Sequence, residues 1–258
     1  MKKQFLIVIF ALVTFVSTHA QEQIVFKQTF VKAKAGTNYG ENLRTKFSKF
    51  AQMRIDKGLQ SGWHLWAVVN NPQAPFTHLI VEPMTLSEMK KWEGTSWEER
   101  GKMRAESMPE MSQNDWEEFM ENVADKREIV AVTFSAPVKD ITRDGKVALP
   151  DKFGVVNFMK VVEGKAKTYE TMESTLWSGG IPKNSKQTGW SLGKRIDKIG
   201  TEIYWNYWTV DWFSTYSDII ERNASTPAWD ADKNYAQMLK IRDLKESVII
   251  RRVMTLDK

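Results

Sequence analysis

The chain repeats itself, and this repeat limits the possible folds more than any local pattern does. Two Gly-Trp pairs, at residues 62–63 and 189–190, lie in similar surroundings. Aligning the two pairs brings "FVKAKAG" from Phe30 close to "FMKVVEG" from Phe158, and it places Phe50 on Trp177. The two halves of the sequence therefore share their first segments in the same order.

Two further blocks follow each Gly-Trp pair. "THLIVEPMTLSEM" from Thr77 aligns with "TEIYWNYWTVDWF" from Thr201, which places Glu82 on Asn206. "FMENVADKREIVAVTF" at 119–134 resembles "QMLKIRDLKESVIIRR" at 237–252, since each reads as an amphipathic helix running into a strand. Four matched blocks in one order indicate a duplication, and we predict repeats over residues 21–138 and 139–258.

Hydrophobic periodicity predicts the same order of elements in both repeats. In the first repeat we expect a strand over Ile24–Lys32, a helix carrying Leu43, Phe47 and Phe50 and ending near Gly58, strands over Trp63–Val69 and Phe76–Glu82, a helix begun by the capping box Thr85–Glu88, and a strand over Ile129–Phe134. In the second we expect a strand over Val155–Val162, a helix over Thr168–Trp177, strands near Trp190 and Tyr204, a helix begun by Thr226-Pro227, and a strand over Ser247–Met254.

The order in each repeat is βαββαβ, which forms an antiparallel sheet with both helices on one face. The other sheet face needs cover, and a second repeat can supply it. The sequence thus resembles the dimeric α/β-barrel group of ferredoxin-like proteins, and within it a poorly characterised exported bacterial branch. The resemblance covers Ile24 to the C-terminus and implies an α+β fold of two fused ferredoxin-like repeats packed sheet to sheet.

The amino-terminal segment is typical of a cleaved secretory signal. Lys2 and Lys3 precede an apolar run from Phe5 to Val16, and small residues lead to Ala20. The run of about 12 residues is too short to span a bilayer, and no later stretch reaches the roughly 20 apolar residues required. We expect residues 1–20 to be removed near Ala20, with the mature protein exported to the periplasm or outside the cell and lacking a membrane span.

Composition narrows the classes of partner. Without residues 1–20 the chain has 35 basic and 32 acidic side chains, so its charge is nearly balanced and nucleic acid is a poor candidate partner. The chain has no cysteine, which excludes disulfides, thiolate metal sites and cysteine nucleophiles. Its 11 tryptophans indicate an aromatic core or pocket. We expect a monomer or a homodimer, since a fused second repeat removes the need for an obligate partner.

His64 and His78 are the candidate catalytic residues of the first repeat, on the two strands of one predicted hairpin. Strand alternation places His64 on the face of Trp66, and His78 on the face of Glu82. If these are the same face, the two rings and Glu82 form a compact acid/base site, because imidazole can ligate iron or act as a base near neutral pH. The connection between the two strands does not fix the register of the hairpin. The alternative is therefore that one or both histidines are ordinary strand residues without a catalytic role. No metal-spaced motif supports a metal site.

The second repeat carries different side chains on its hairpin. Arg195, Tyr204, Asn206 and Trp208 can hold a ligand through a charge, hydrogen bonds and ring stacking, and we take them with Trp66 and Glu82 as candidate ligand-binding residues. The alternative is a sheet that is rich in aromatic residues because these suit half-buried strands. Both repeats keep the Gly-Trp pair, whereas the side chains at the alternate positions of the hairpin strands differ.

The segment Trp92–Gln113 has no counterpart in the second repeat. It mixes tryptophan and methionine with charged residues, and such side chains can close over an irregular apolar ligand. The segment is therefore either a lid or an extension of the helices whose apolar residues pack into the domain.

Three functions remain open at this point. The first is binding of a small apolar or aromatic ligand in a cavity between sheet and helices. The second follows from the resemblance, which includes haem-binding enzymes and cofactor-free monooxygenases and implies an oxidoreductase using His64 or His78. The third is a structural or interaction role. The sequence identifies no cofactor and no reaction, because fold alone does not define function.

Overall fold

The structure is a computed structural model that describes residues 22–143, 150–183, 185–198, 203–225 and 233–258. The strands are β1 (Ile24–Ala33), β2 (Gly62–Val68), β3 (His78–Thr85), β4 (Arg127–Thr142), β5 (Phe153–Val161), β6 (Gln187–Arg195), β7 (Tyr207–Phe213) and β8 (Arg242–Asp257). The helices are α1 (Tyr39–Asn42), a π-helical turn (Leu43–Phe47), α2 (Ser48–Asp56), α3 (Leu86–Gly94), α4 (Trp97–Ser107), α5 (Gln113–Asp125), α6 (Ala166–Leu176), α7 (Tyr216–Ser225) and α8 (Lys233–Met238). The fold is mixed α+β, as the sequence predicts.

The strands form one closed antiparallel barrel in the order β1-β3-β2-β8-β5-β7-β6-β4. The first half of the chain contributes the neighbours β2-β3-β1-β4, and the second half contributes β6-β7-β5-β8, which is the same order. One pair of register shifts also lies at matching points: the β1–β4 ladder shifts between Phe30 and Val31, and the β5–β8 ladder shifts between Phe158 and Met159. These are the residues that the sequence alignment pairs.

Two long strands close the barrel. β4 and β8 each have 16 residues, whereas the sequence predicts strands only over Ile129–Phe134 and Ser247–Met254. The first part of β4 pairs with β1 and its last part pairs with β6, while β8 likewise pairs with β5 and then β2. The two predicted sheets are therefore joined edge to edge rather than merely packed face to face. The predicted boundary between residues 138 and 139 falls within β4.

Three apolar layers stabilise the fold. The barrel core consists only of strand and loop residues from both halves, and Trp66 contacts Trp212 there with ring centroids 5.3 Å apart. Two outer layers lie between the barrel and the helices, one around Leu43 and Leu65 and the other around Tyr169 and Leu192. Strand alternation produces this arrangement, because successive side chains point into the barrel and toward the helices in turn.

Most predicted elements appear near their expected positions. α3 begins at the capping box, where the Thr85 hydroxyl accepts from the Glu88 backbone N–H at 3.2 Å and the Glu88 carboxylate accepts from the Thr85 N–H at 2.9 Å. Gly58, with φ +65°, follows the end of α2 in the left-handed conformation that glycine favours. The helix start predicted at Thr226-Pro227 lies outside the described residues, as does the predicted signal at residues 1–20. No described helix has the length and apolar character needed to cross a membrane.

One sequence alignment was wrong. β3 and β7 hold Leu79 and Trp208 opposite Phe30 and Phe158 respectively, so these two residues occupy matching places. Counting along the strands then matches Glu82 to Asp211 and not to Asn206, a shift of five residues. The Gly-Trp alignment agrees with the registers, since the partners of Leu79 and Trp208 on the adjacent strands are Trp66 and Gly193.

The segment Trp92–Gln113 is a helical extension and not a lid over the cavity described below. α4 lies on α2, and two ion pairs join this region to α2 and its end. Lys57, just after α2, pairs with Glu106 of α4 at 2.8 Å, and Lys49 of α2 pairs with Glu110, in the turn after α4, at 2.7 Å. Met103 and Met108 are buried beneath it. The second of the two predicted alternatives therefore describes this segment.

Candidate functional site

A cavity of about 550 Å³ lies between the barrel and the helices of the second half. Its walls come from the outward faces of β5 to β8 and from α6, α7 and α8, within the described part of the chain. The lining residues are Asn157, Met159, Glu173, Leu176, Trp177, Pro182, Ser185, Lys186, Gln187, Trp190, Thr209, Asp211, Glu221, Arg222, Ser225, Met238, Arg242 and Leu244. This volume suits a small organic molecule.

Asp211 is the acidic residue that the described strands contribute to the cavity wall. It is the one acidic or basic side chain of β7, and strand alternation turns it toward the helices, away from the barrel core. Arg222 of α7 donates to its Oδ2 at 2.8 Å, and the Gln187 amide donates to its Oδ1 at 3.0 Å. Burial raises the pKa of Asp211 above its ordinary value, although the nearby Arg222 cation opposes this rise. Both oxygens are thus held by protein donors.

Glu173 is the buried acid that α6 contributes to the cavity wall. It lies on α6 and is only 6% exposed. Burial raises the pKa of its carboxyl group, and the negative charge of Asp211 adds to this effect, while the Tyr169 hydroxyl and the Arg242 cation oppose it. A carboxylate in this position can accept a hydrogen bond from a molecule in the cavity.

An aromatic surface completes the cavity. The Trp177 and Trp190 rings lie 5.8 Å apart between centroids and are tilted by 33°. Met159 and Met238 are both buried next to them. A lining that combines polar groups with flat aromatic groups suits a ligand with an aromatic body and a polar end.

In the first half the position that matches Asp211 is occupied by a closed ion cluster. Glu82 accepts from Lys27 at 2.6 Å and from Arg54 at 2.6 Å, and the Arg54 guanidinium lies over the Trp92 ring at 4.2 Å. Burial alone would raise the pKa of Glu82, but the two cations lower it below its ordinary value. This predicted ligand-binding residue thus joins α2 to the sheet.

The two candidate catalytic histidines lie on opposite faces of the sheet. His64 pairs with Val81 across the strands and shares the barrel face with Trp66, whereas His78 pairs with Ala67 and lies on the helix face with Glu82. The compact site that required a shared face is therefore absent.

Each histidine ring lies within hydrogen-bond distance of a polar side chain. His64 Nε2 lies 2.7 Å from the Asp257 carboxylate, and His78 Nδ1 lies 2.9 Å from the Thr77 hydroxyl. Burial lowers the pKa of His78, which contacts Tyr39 edge-on at 5.7 Å. Neither ring lines the cavity.

The remaining predicted ligand-binding residues also lie outside the cavity lining. Trp66 and Trp208 are in the barrel core, where a Cβ at Gly193 would overlap the Trp208 indole. This explains how the two Gly-Trp segments diverged. In the first half Trp66 of β2 fills the core. In the second half Trp208 of β7 fills it, and the position on β6 that matches Trp66 is Gly193.

Three other predicted residues support the loop before β7. Arg195 forms an ion pair with Asp197 at 2.9 Å. The Asn206 amide pairs with the backbone of Val161, and the Tyr204 hydroxyl donates to the Lys245 carbonyl at 3.0 Å. Each of these side chains is engaged by other protein groups, and none of the three lines the cavity.

Glu173 and Asp211 are the site residues that the sequence interpretation missed. Both residues could have been identified from the sequence pattern. Glu173 lies on the apolar face of α6 with Tyr169 and Leu176, at spacings of four and three. Asp211 interrupts the apolar run "YWTVDWF". An acidic residue at a buried position is unusual, and it indicates a specific structural or functional role.

The cavity does not fit a haem held by histidine, the group that the resemblance implies for some relatives. Its described lining contains no histidine, and both candidate rings are engaged elsewhere. Among the described residues no three His, Asp or Glu side chains are grouped to hold a metal ion.

Comparison with known proteins supports the fold. No family model matches the sequence, and no curated protein matches it. The fold is similar to an anthrone oxidase-like protein, at TM-score 0.57 and 9% identity over 92% of this chain and 93% of that one. It is also similar to candidate monooxygenases from Fusobacterium nucleatum subsp. nucleatum (TM-score 0.54, 8% identity, 92% and 96% covered) and Lactobacillus acidophilus NCFM (TM-score 0.51, 10% identity, 92% and 97% covered). These neighbours are of the dimeric α/β-barrel type, and at such identity they show the fold alone.

Proposed function

We propose that the protein binds a small molecule with an apolar or aromatic body in the cavity of its second half. The observation that carries this proposal is the cavity itself, whose lining includes Trp177 and Trp190 together with the buried acids Glu173 and Asp211. Buried charged groups are costly to the fold, and clefts that combine apolar walls with a few polar groups are the usual small-molecule sites.

We further propose that the chain consists of two fused ferredoxin-like repeats and is exported after cleavage near Ala20. The shared strand order and the matching register shifts support the fusion. Export rests on the amino-terminal sequence pattern, and amino-terminal sequencing of protein recovered from a periplasmic fraction tests it. A mature chain beginning at residue 21 is the expected result.

The oxidoreductase alternative is supported by fold similarity only. It requires His64 or His78 next to a substrate, and the structure places both rings outside the lining of the cavity. A structural or interaction role stays a third possibility, with no specific contact that favours it over ligand binding.

Native mass spectrometry of the purified protein tests the binding proposal. An added mass that disappears on denaturation is expected, and its value identifies the ligand class. In the variant Leu176→Trp the new indole fills the cavity, so the added mass should be lost. Thr175→Trp is the matched control, because this exposed neighbour on α6 does not line the cavity. Retention of the ligand in both variants, or its absence from the wild-type protein after incubation with indole, would overturn the proposal.

A further inference from the structure

The two halves share a buried tyrosine that marks equivalent positions in their helices. Tyr39 contacts His78 edge-on at 5.7 Å, and Tyr169 contacts Tyr207 edge-on at 5.0 Å. His78 lies opposite Val31 across the strands and Tyr207 lies opposite Met159, which are matching register positions. Tyr39 and Tyr169 therefore pack against corresponding strand positions of the two halves.

Four residues after each tyrosine the halves differ in a way that the fold does not require. Leu43 follows Tyr39 and is 1% exposed, whereas Glu173 follows Tyr169 and is 6% exposed. A leucine satisfies this position in the first half by apolar packing alone. A buried carboxyl group lowers stability unless its partners compensate fully. Residues that lower the stability of the fold in this way are typical of binding sites.

Charges around Glu173 are balanced. The described lining of the cavity contains the acids Glu173, Asp211 and Glu221 and the bases Lys186, Arg222 and Arg242. When all six are ionised, the wall has no net charge. A ligand with a single charge would bring an uncompensated charge next to the buried carboxyl groups of Glu173 and Asp211, which is unfavourable.

We propose that Glu173 is a specificity-determining residue that accepts a hydrogen bond from an N–H or O–H group of an uncharged aromatic ligand. This inference rests on the proposed function of the cavity and names the ligand class. The ligand's ring system lies against Trp177 and Trp190, and its donor group points to α6.

Isothermal titration with matched indoles tests the hydrogen bond. Indole carries an N–H donor, whereas 1-methylindole has nearly the same shape and no donor. We expect indole to bind the wild-type protein about tenfold more tightly, as is typical of a hydrogen bond to a charged acceptor. In Glu173→Leu, which adopts the side chain of the first half, the two probes should bind equally.

Charge selection is tested by a third probe and a second variant. Indole-3-acetate should bind the wild-type protein more weakly than indole does, since it adds a negative charge. Glu173→Gln removes one negative charge from the wall and should recover part of its affinity. Glu170→Gln is the control, because Glu170 lies on the same helix, contacts Tyr207 and does not line the cavity.

The outcomes separate this inference from the proposed function. If indole and 1-methylindole bind the wild-type protein equally, the cavity binds ligands and the role of Glu173 is wrong. Equal changes in Glu170→Gln and Glu173→Gln would likewise contradict a specific role. If none of the probes binds, the proposed function fails and this inference fails with it. Urea unfolding of Glu173→Leu confirms that any lost discrimination occurs in a folded protein.

Discussion

Glu82 and Asp211 show at the residue scale how one position can serve two purposes. They occupy matching places in β3 and β7, and both are buried on the helix side of the sheet. Two cations lower the pKa of Glu82 against the effect of burial, whereas burial raises the pKa of Asp211 against the effect of one cation. The first acid stabilises the fold, and the second lies in the wall of a cavity.

Glu173→Gln should stabilise the protein increasingly as the pH rises. Burial raises the pKa of Glu173 above 4.5, its ordinary value, with Asp211 adding to the rise and Tyr169 and Arg242 opposing it. The native state then binds more protons than the unfolded state just above that value, so wild-type stability falls as pH rises through the window. Urea unfolding at about pH 4 and about pH 8 measures this. An unchanged difference between variant and wild type would show that Glu173 is not perturbed.

Both acids could have been noticed from the sequence, but their consequences could not. Asp211 stands out in an apolar strand, yet the sequence aligned Asn206 with Glu82 because the loop before β7 has a different length in the two halves. Likewise alternation correctly placed His64 with Trp66 and His78 with Glu82. Whether those two faces were the same depended on the hairpin register, which only cross-strand pairing defines.

At the scale of elements, helix α2 is attached to the sheet by a buried ion cluster. Arg54 bridges Glu82 on β3 and the ring of Trp92 after the hairpin, so one guanidinium connects α2, the sheet and α3. This arrangement leaves no charge of the cluster without a partner. Removing the carboxylate would leave the buried Arg54 cation and the partly exposed Lys27 cation without their shared partner, which is a costly change.

Glu82→Gln should destabilise the protein by roughly 3 kcal/mol near neutral pH. Its lowered pKa means that the stabilisation is present above the ordinary value of 4.5 and is lost as the pH falls through the folded-state value, so the effect should shrink in acid. Urea unfolding provides the measurement. The control is Glu41→Gln, because the pair of Glu41 and Arg44 is exposed and should contribute little to stability. Equal losses in the two variants would contradict the assigned role of the cluster.

Element types were predictable because periodicity reports local burial. The capping box at Thr85 and the alternation in β2 and β3 were confirmed. Strand ends were not predictable where pairing continued past the hydrophobic run, as in β4, whose polar later part pairs with β6. The second partner comes from the other half of the chain, and no local pattern contains that information.

At the scale of the whole molecule, the barrel makes one folding unit from two similar halves. Its core is shared, since Trp66 packs against Trp212 and Phe30 packs against Phe158 at 5.7 Å. β4 and β8 also run from one half into the ladder of the other. Without the other half, the inner face of each half's sheet would be exposed to solvent.

The chain should therefore unfold in a single cooperative transition. Calorimetry should give a calorimetric enthalpy equal to the van't Hoff enthalpy, and tryptophan fluorescence and far-ultraviolet circular dichroism should change together. Two separated transitions would mean that the halves fold independently, in conflict with the shared core. Trp66→Ala should lower the midpoint of the whole transition, with a loss of roughly 3–5 kcal/mol.

The most direct test of ligand binding is a crystal structure of the protein with indole. We expect electron density for indole in the second-half cavity, with its ring against Trp177 and Trp190 and its nitrogen within hydrogen-bond distance of Glu173. Density for indole next to His64 or His78, with none in this cavity, would contradict the account and move the search for function to the first half of the chain.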